Sequence, residues 1–143
     1  MSRPFRVATG LPVVIDSSVA FKWFDATEQG SDVAVQLLHE HKRDETALLA
    51  PAHLHLELIN TLTCRGVEPH EVEHAVRFLA DADLLIAPLD EALLVDAARI
   101  AYAERLALHD AAFIALAARL DAELVTADRR QAATRSCRVR FVG

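Results

Sequence analysis

Hydrophobic positions along the chain follow two periods that alternate. Short continuous apolar runs rich in β-branched residues predict strands buried on both faces, and apolar residues spaced three and four apart predict helices. Leu11 to Ile15 is the first such run and ends in Asp16-Ser17-Ser18. Either serine can cap a helix over Val19 to about Phe24. Gly30-Ser31-Asp32 opens a second helix, to about His41, with Val33, Val35, Leu37 and Leu38 as its buried face. Lys42 to Glu45 reads as a charged loop, and Thr46 to Ala50 as a second strand stopped by Pro51. A helix from about Ala52 to Arg65 places Leu54, Leu58, Thr61 and Leu62 on one stripe, Glu57 beside that stripe and Gly66 just past the end. Pro69 starts the next helix, to about Ala82, with Val72, Val76 and Leu79 inward. Leu84 to Ala87 is a third strand, and Asp90 caps a long helix to about Leu106.

Residues 108 to 130 organise the rest: a helix, a short loop, the strand Glu123 to Thr126 and a turn into a further helix. Arg138 to Val142 alternates as an edge strand does. Strand and helix thus alternate throughout, which predicts a parallel sheet with helices on both faces. The expected fold is a three-layer α/β/α sandwich around a mostly parallel sheet of about five strands. It forms one domain, residues 11–143, after an N-terminal extension, residues 1–10.

Composition narrows the class. An apolar content of 52% over 143 residues supports a single well-filled core. No apolar run reaches the length of a membrane span, and Leu11 to Ile15 is too short for a signal-peptide core. A cytoplasmic protein with no membrane partner is expected. Cys64 and Cys137 lack metal-ligand spacing and read as reduced structural thiols. The net charge of −6 argues against a nucleic-acid partner. Its distribution qualifies this, because Arg129, Arg130, Arg135, Arg138 and Arg140 crowd the last fifteen positions.

Four acids carry the candidate chemistry. Asp16 follows the first strand, Asp128 follows the strand Glu123 to Thr126, Asp110 begins a helix, and Glu57 sits inside an apolar one. Each has a bland explanation: helix capping for the aspartates, a solvated helix face for Glu57. Their conjunction is harder to explain blandly, since one topology brings them to a single sheet edge, where ligands bind in open α/β sheets. Clustered carboxylates repel unless a cation neutralises them, and hard oxygen ligands select Mg²⁺ or Mn²⁺. The residues therefore point to metal-assisted phosphoryl or phosphodiester chemistry. No histidine pair suggests zinc: His53 and His55 cannot share a face, nor can His39 and His41, and His109 beside Asp110 reads as structural. The chain has no glycine-rich phosphate loop and no Asp-x-Asp after the first strand, against a P-loop NTPase or a dehalogenase-type phosphatase.

At this point the sequence resembles a known family. Val13-Val14-Ile15-Asp16-Ser17-Ser18-Val19 is similar to the opening of PIN domains, above all the VapC toxin nucleases of bacterial VapBC pairs. Pro51 followed by Glu57 and Asn60 resembles their second motif, His109-Asp110-Ala111-Ala112 their third, and Leu124-Val125-Thr126-Ala127-Asp128 their fourth. His109 stands where that family usually has tyrosine. The resemblance implies a Mg²⁺- or Mn²⁺-dependent endoribonuclease, with Asp16, Glu57, Asp110 and Asp128 holding the metal. Ser17 and Thr126 would position those ligands or water, and Asn60 would orient Glu57. It also implies an RNA substrate, a cognate VapB-like antitoxin and a homodimer. Lys22, Lys42, Arg43, Arg129 and Arg130 are the candidate phosphate contacts. Two alternatives stand beside the toxin: a PIN nuclease of RNA processing, and a Mg²⁺-binding receiver-like signalling module. The module would need paired acids after the first strand and a lysine after the last, and neither is present.

Overall fold

The computed structural model describes residues 12–143. The expected extension, residues 1–10, lies outside the described residues, as does Leu11. The elements run β1 (Pro12–Ile15), α1 (Ser17–Phe21), α2 (Ser31–Lys42), β2 (Ala47–Pro51), α3 (Leu54–Cys64), α4 (Pro69–Ala82), β3 (Leu85–Ala87), α5 (Glu91–Glu104), α6 (Leu108–Arg119), β4 (Glu123–Thr126), α7 (Arg129–Ala132) and β5 (Val139–Phe141). The five strands form one sheet in the order β3-β2-β1-β4-β5. Every pairing is parallel.

That order contains one reversal. The chain steps outward from β1 through β2 to β3, then returns to place β4 on the other side of β1. Parallel crossovers are right-handed, so a reversal of direction moves the connecting helices to the opposite face. Accordingly α6 packs on β1, β2 and β4 with α5 behind it, while α1, α2, α3 and α4 pack together elsewhere. A crevice opens at the carboxyl ends of β1 and β4, where the connections diverge.

α6 is buried along the whole run Ala111 to Ala117. Its alanines let the helix sit close to the sheet, and Phe113, Ile114 and Leu116 fill the space beside them. This helix is apolar all round because it lies between the sheet and α5. Its first turn therefore holds a fixed position at the sheet edge.

Several local expectations need correction. α1 begins at Ser17 and stops at Phe21, because the cap is Asp16 rather than either serine: its side chain accepts from the Val19 amide at 3.1 Å. On α2 the inward face is Ala34, Leu37, Leu38 and His41, spaced three and four apart, and Val35 is exposed. His41 is tolerated there because both ring nitrogens are bonded, Nδ1 accepting from the Leu48 amide and Nε2 donating to the Asp83 carbonyl. On α4 the inward positions are Ala75, Leu79 and Ala82, and Val76 faces solvent. In both helices small residues held the inward positions that branched ones were expected to take.

Two glycines adopt positive φ, and only one is crowded. At Gly30, the N-cap of α2 with φ of 82°, an added methyl would overlap the Val142 carbonyl. At Gly66, with φ of 74°, the same methyl would meet nothing. Gly66→Ala is expected to destabilise by about 1 kcal/mol, the cost of a left-handed residue. Gly30→Ala should lose about 2 kcal/mol or more, because strain adds to conformation. Paired urea melts measure the difference, and equal losses would show that the last residues of the chain yield freely.

Candidate active site

Asp16 sits at the end of β1, directly in the crevice, and is 1% exposed. Two hydroxyls hold it. Ser18 Oγ donates to Asp16 Oδ1 at 2.5 Å and accepts from the Ala127 amide at 2.9 Å. Thr126 Oγ1 donates to Asp16 Oδ2 at 2.5 Å and accepts from the Asp128 amide at 2.9 Å. Because each hydroxyl already receives a backbone N–H, its own proton is directed at the carboxylate. The ends of β1 and β4 are thereby tied through one acidic side chain.

Asp128 caps α7, its Oδ1 accepting from the Arg130 amide at 2.8 Å. Capping is thus correct for both Asp16 and Asp128, but it uses only part of each carboxylate's accepting capacity. Asp110 is not a cap. The N-cap of α6 is Ala107, so Asp110 lies one turn into the helix, where Gln131 Nε2 donates to its Oδ1 at 3.1 Å. Glu57, on α3, accepts from Ser17 Oγ at 2.9 Å. The expected orienting role of Asn60 is corrected: Asn60 is exposed, its side-chain oxygen faces the Cys64 thiol at 3.8 Å, and Ser17 restrains Glu57 instead.

Two histidines lie beside these acids. His109 Nε2 lies 3.5 Å from Asp110 Oδ1 and 3.8 Å from Glu57 Oε2. One potential ligand atom from each of these three residues falls within 4.8 Å of the others. His53, one turn before Glu57, donates Nε2 to the His109 carbonyl at 2.8 Å and stacks its ring near Phe113. A helical wheel of α3 or α6 alone cannot reveal this, because the contact joins residues 56 positions apart.

Electrostatics follows from burial. Desolvation raises Asp16 from 3.8 to about 6, against the lowering effect of its hydrogen bonds to Ser18, Thr126 and the Val19 amide, with the charge of Asp128 adding to the rise. Asp110 is also raised, first by burial and then by Asp128, while His109 and Gln131 oppose the rise. Asp128 therefore acts on both other aspartates, as a shared negative field requires. Among the described residues no lysine or arginine pairs with any of the four acids.

The basic candidates separate by sheet edge. Arg129 and Arg130 follow β4 at the acidic edge and are exposed, with Arg129 over the Phe141 ring. Lys42, the last residue of α2, and Arg43, its C-cap, precede β2 and so lie at the opposite edge, where Arg43 pairs with Glu45 and Lys42 lies over Phe78. Parallel strands make that separation unavoidable, since a residue just before a strand lies at the end remote from one just after it. Lys22 is buried, paired with Glu28 at 3.1 Å and donating to the Gln29 carbonyl. A cavity of about 570 Å³, lined in part by Ser17, Ser18, Thr61, Arg65 and Ala127, abuts the acids without being lined by them. Arg65, stacked over Phe21, is a basic residue of this region that sequence pattern alone did not single out.

The raised Asp16 gives a pH signature in the metal-free protein. A folded pKa above the unfolded one contributes stability in full below about pH 4, lost as pH rises through about 6. The loss is on the order of 2–3 kcal/mol. Whatever Asp16→Asn does to absolute stability, the difference between variant and parent should shift in favour of the variant by this amount between pH 4 and pH 7.5. Thermal melts in chelator measure it, and a pH-independent difference would mean that burial leaves this carboxylate unperturbed.

Comparison with known proteins agrees with this geometry. The PIN domain family model matches residues 13–136. No curated protein matches significantly. Among solved structures, PAE2754 from Pyrobaculum aerophilum is 18% identical with a TM-score of 0.62, covering 91% of each chain. VapBC2 from Rickettsia felis, bound to a promoter DNA fragment, is 9% identical with a TM-score of 0.69, covering 92% of this chain and 98% of that one. VapC20 from Mycobacterium tuberculosis, described as a toxin that cleaves the sarcin–ricin loop, is 14% identical with a TM-score of 0.63, over 88% and 98%. At these identities the structures speak for the fold, and the family model, spanning most of the chain, places it in the PIN domain family.

Proposed function

We propose that the protein is a Mg²⁺- or Mn²⁺-dependent endoribonuclease, the toxin of a type II toxin–antitoxin pair, hydrolysing phosphodiester bonds in cellular RNA. One observation carries the reading. Glu57 and Asp110, with His109, bring potential ligand atoms within 4.8 Å of one another, Asp128 acts electrostatically on both Asp16 and Asp110, and no lysine or arginine pairs with any of the four acids among the described residues. Such a donor set fits a hard divalent cation. When bound, the cation supplies Lewis acidity toward a phosphoryl oxygen and acidifies a bound water.

The chain's own residues do the rest. Ser18 and Thr126 fix both oxygens of Asp16, so that with the Val19 amide also bound it presents its one remaining lone pair, on Oδ2, without reorganisation. Ser17 does the same for Glu57, and Gln131 for Asp110. Arg129 and Arg130 stand beside Asp128 to receive phosphates of the RNA, and the cavity flanked by Ser17 and Arg65 offers room for the strand. Toxin–antitoxin complexes among the similar folds, from Rickettsia felis and Klebsiella pneumoniae, support an antitoxin partner. A basic antitoxin side chain over the acids would exclude cation and RNA together. A homodimer and a cytoplasmic location belong to the same reading. Among the described residues no helix is long and apolar enough to cross a membrane.

Replacing Asp110 or Asp128 by Asn keeps size while removing a charge. Cleavage of total RNA with Mg²⁺ or Mn²⁺ should then fall at least about a hundredfold, since several kcal/mol of transition-state stabilisation are removed. Metal-free stability should hold or rise as repulsion is relieved. Variants that fold and cut as well as the parent would remove the four-acid site from the chemistry. For substrate contacts, Arg129→Ala with Arg130→Ala should weaken RNA binding and flatten its salt dependence by roughly one to two charges. An unchanged slope in fluorescence anisotropy titrations across salt would assign both residues to the solvated surface.

A further inference from the structure

We infer that His109 is a direct nitrogen ligand, completing with Glu57 and Asp110 a mixed nitrogen–oxygen site that takes a divalent transition-metal ion, with Mn²⁺ favoured over Mg²⁺. The inference rests on the metal-dependent reading above and adds a ligand that the four-acid account lacks.

The distances argue for it. Nε2 of His109 is 3.5 Å from Asp110 Oδ1 and 3.8 Å from Glu57 Oε2. Both are too long for hydrogen bonds. They match the spacing of ligands around a common ion, about 3–4 Å when metal–ligand bonds are near 2.1 Å. The three groups come from two elements, α3 and α6, which are tied together beside the site: the side chain of His53, the N-cap of α3, donates to the carbonyl of His109 itself. The imidazole is more than half exposed, so it adjusts to an incoming ion from the solvent side without disturbing the core.

A second observation points to the same place. Gln131 is 3% exposed, aims its amide at Asp110 and leaves Oε1 without a partner. A buried carbonyl oxygen without a partner is costly to the fold. Here Gln131 holds the remaining ligand, Asp110, as the outer partners of metal ligands do. The donor chemistry then sets the preference. Mg²⁺ takes oxygen and water almost exclusively, whereas imidazole suits transition ions. Adding a ring nitrogen to the carboxylate oxygens therefore tilts the site toward Mn²⁺.

The test uses Mn²⁺ on the full chain without RNA. Pulsed electron paramagnetic resonance of the Mn²⁺-loaded protein should show modulation from a directly bound ¹⁴N, absent in His109→Ala and His109→Gln and present in the parent. Binding isotherms should show Mn²⁺ affinity falling about tenfold or more in both variants, with Mg²⁺ affinity, read by competition, changing less than about threefold. Circular dichroism checks that both variants fold; the ring is exposed, so both are expected to. No ¹⁴N modulation in the parent, modulation that survives both variants, or no Mn²⁺ binding at all overturns the inference. A nitrogen-coupled Mn²⁺ in a protein that cuts no RNA would sustain this site while defeating the nuclease reading, and cleavage by a protein without nitrogen coupling would do the reverse.

Discussion

The fold turns on a carboxylate placed where solvent is absent. Asp16 lies at the junction where β1 meets β4, and through Ser18 and Thr126 it joins segments about 110 residues apart. A buried carboxylate is tolerated only with such partners. Both hydroxyls are pre-committed by backbone amides, so the network has one proton arrangement that satisfies it. The same arrangement closes the sheet and fixes a charge-bearing oxygen pair at its edge. Structural and functional demands on this residue are met by different lone pairs of one side chain.

That division explains why the bland and the chemical readings of the aspartates do not exclude each other. Asp16 and Asp128 are caps, and their caps orient them. A capping bond directs one oxygen inward along the first turn; in Asp128 no bond is made to the other oxygen among the described residues, and in Asp16 the other is held by Thr126. Asp110 reaches the crevice by another route, through α6, whose buried alanine-rich body fixes the angle of its first turn.

The sequence carried the architecture because strand ends are local events. The run Val13 to Ile15 followed by Asp16, and Glu123 to Thr126 followed by Asp128, could be read in a window of a few residues. The order of the sheet then follows from the handedness of crossovers. What could not be read were contacts between elements. Ser17, not Asn60, restrains Glu57, because α1 packs on α3 and brings the Ser17 hydroxyl onto the carboxylate while Asn60 is exposed. Lys42 and Arg43 looked available to phosphate until the direction of β2 placed them at the far edge. Val35 and Val76 looked inward because hydrophobicity was read without volume, whereas Ala34 and Ala75 fit where two layers approach closely. The closeness of His109 to Glu57 left no trace in the sequence, because the two lie on different helices far apart along the chain.

Charge explains why the site tolerates a small apo-stability deficit. Asp128 raises the cost of ionising both Asp16 and Asp110, and burial acts on both. A protein that used these residues only for caps could spread them over separate helix ends at no electrostatic cost. On the proposed reading, a cation bound there would relieve the repulsion between Asp128 and the two aspartates it acts on, and part of its binding energy would be that relief. Affinity and apo instability thus arise from one arrangement, so that stabilising the empty site by charge removal weakens the occupied one.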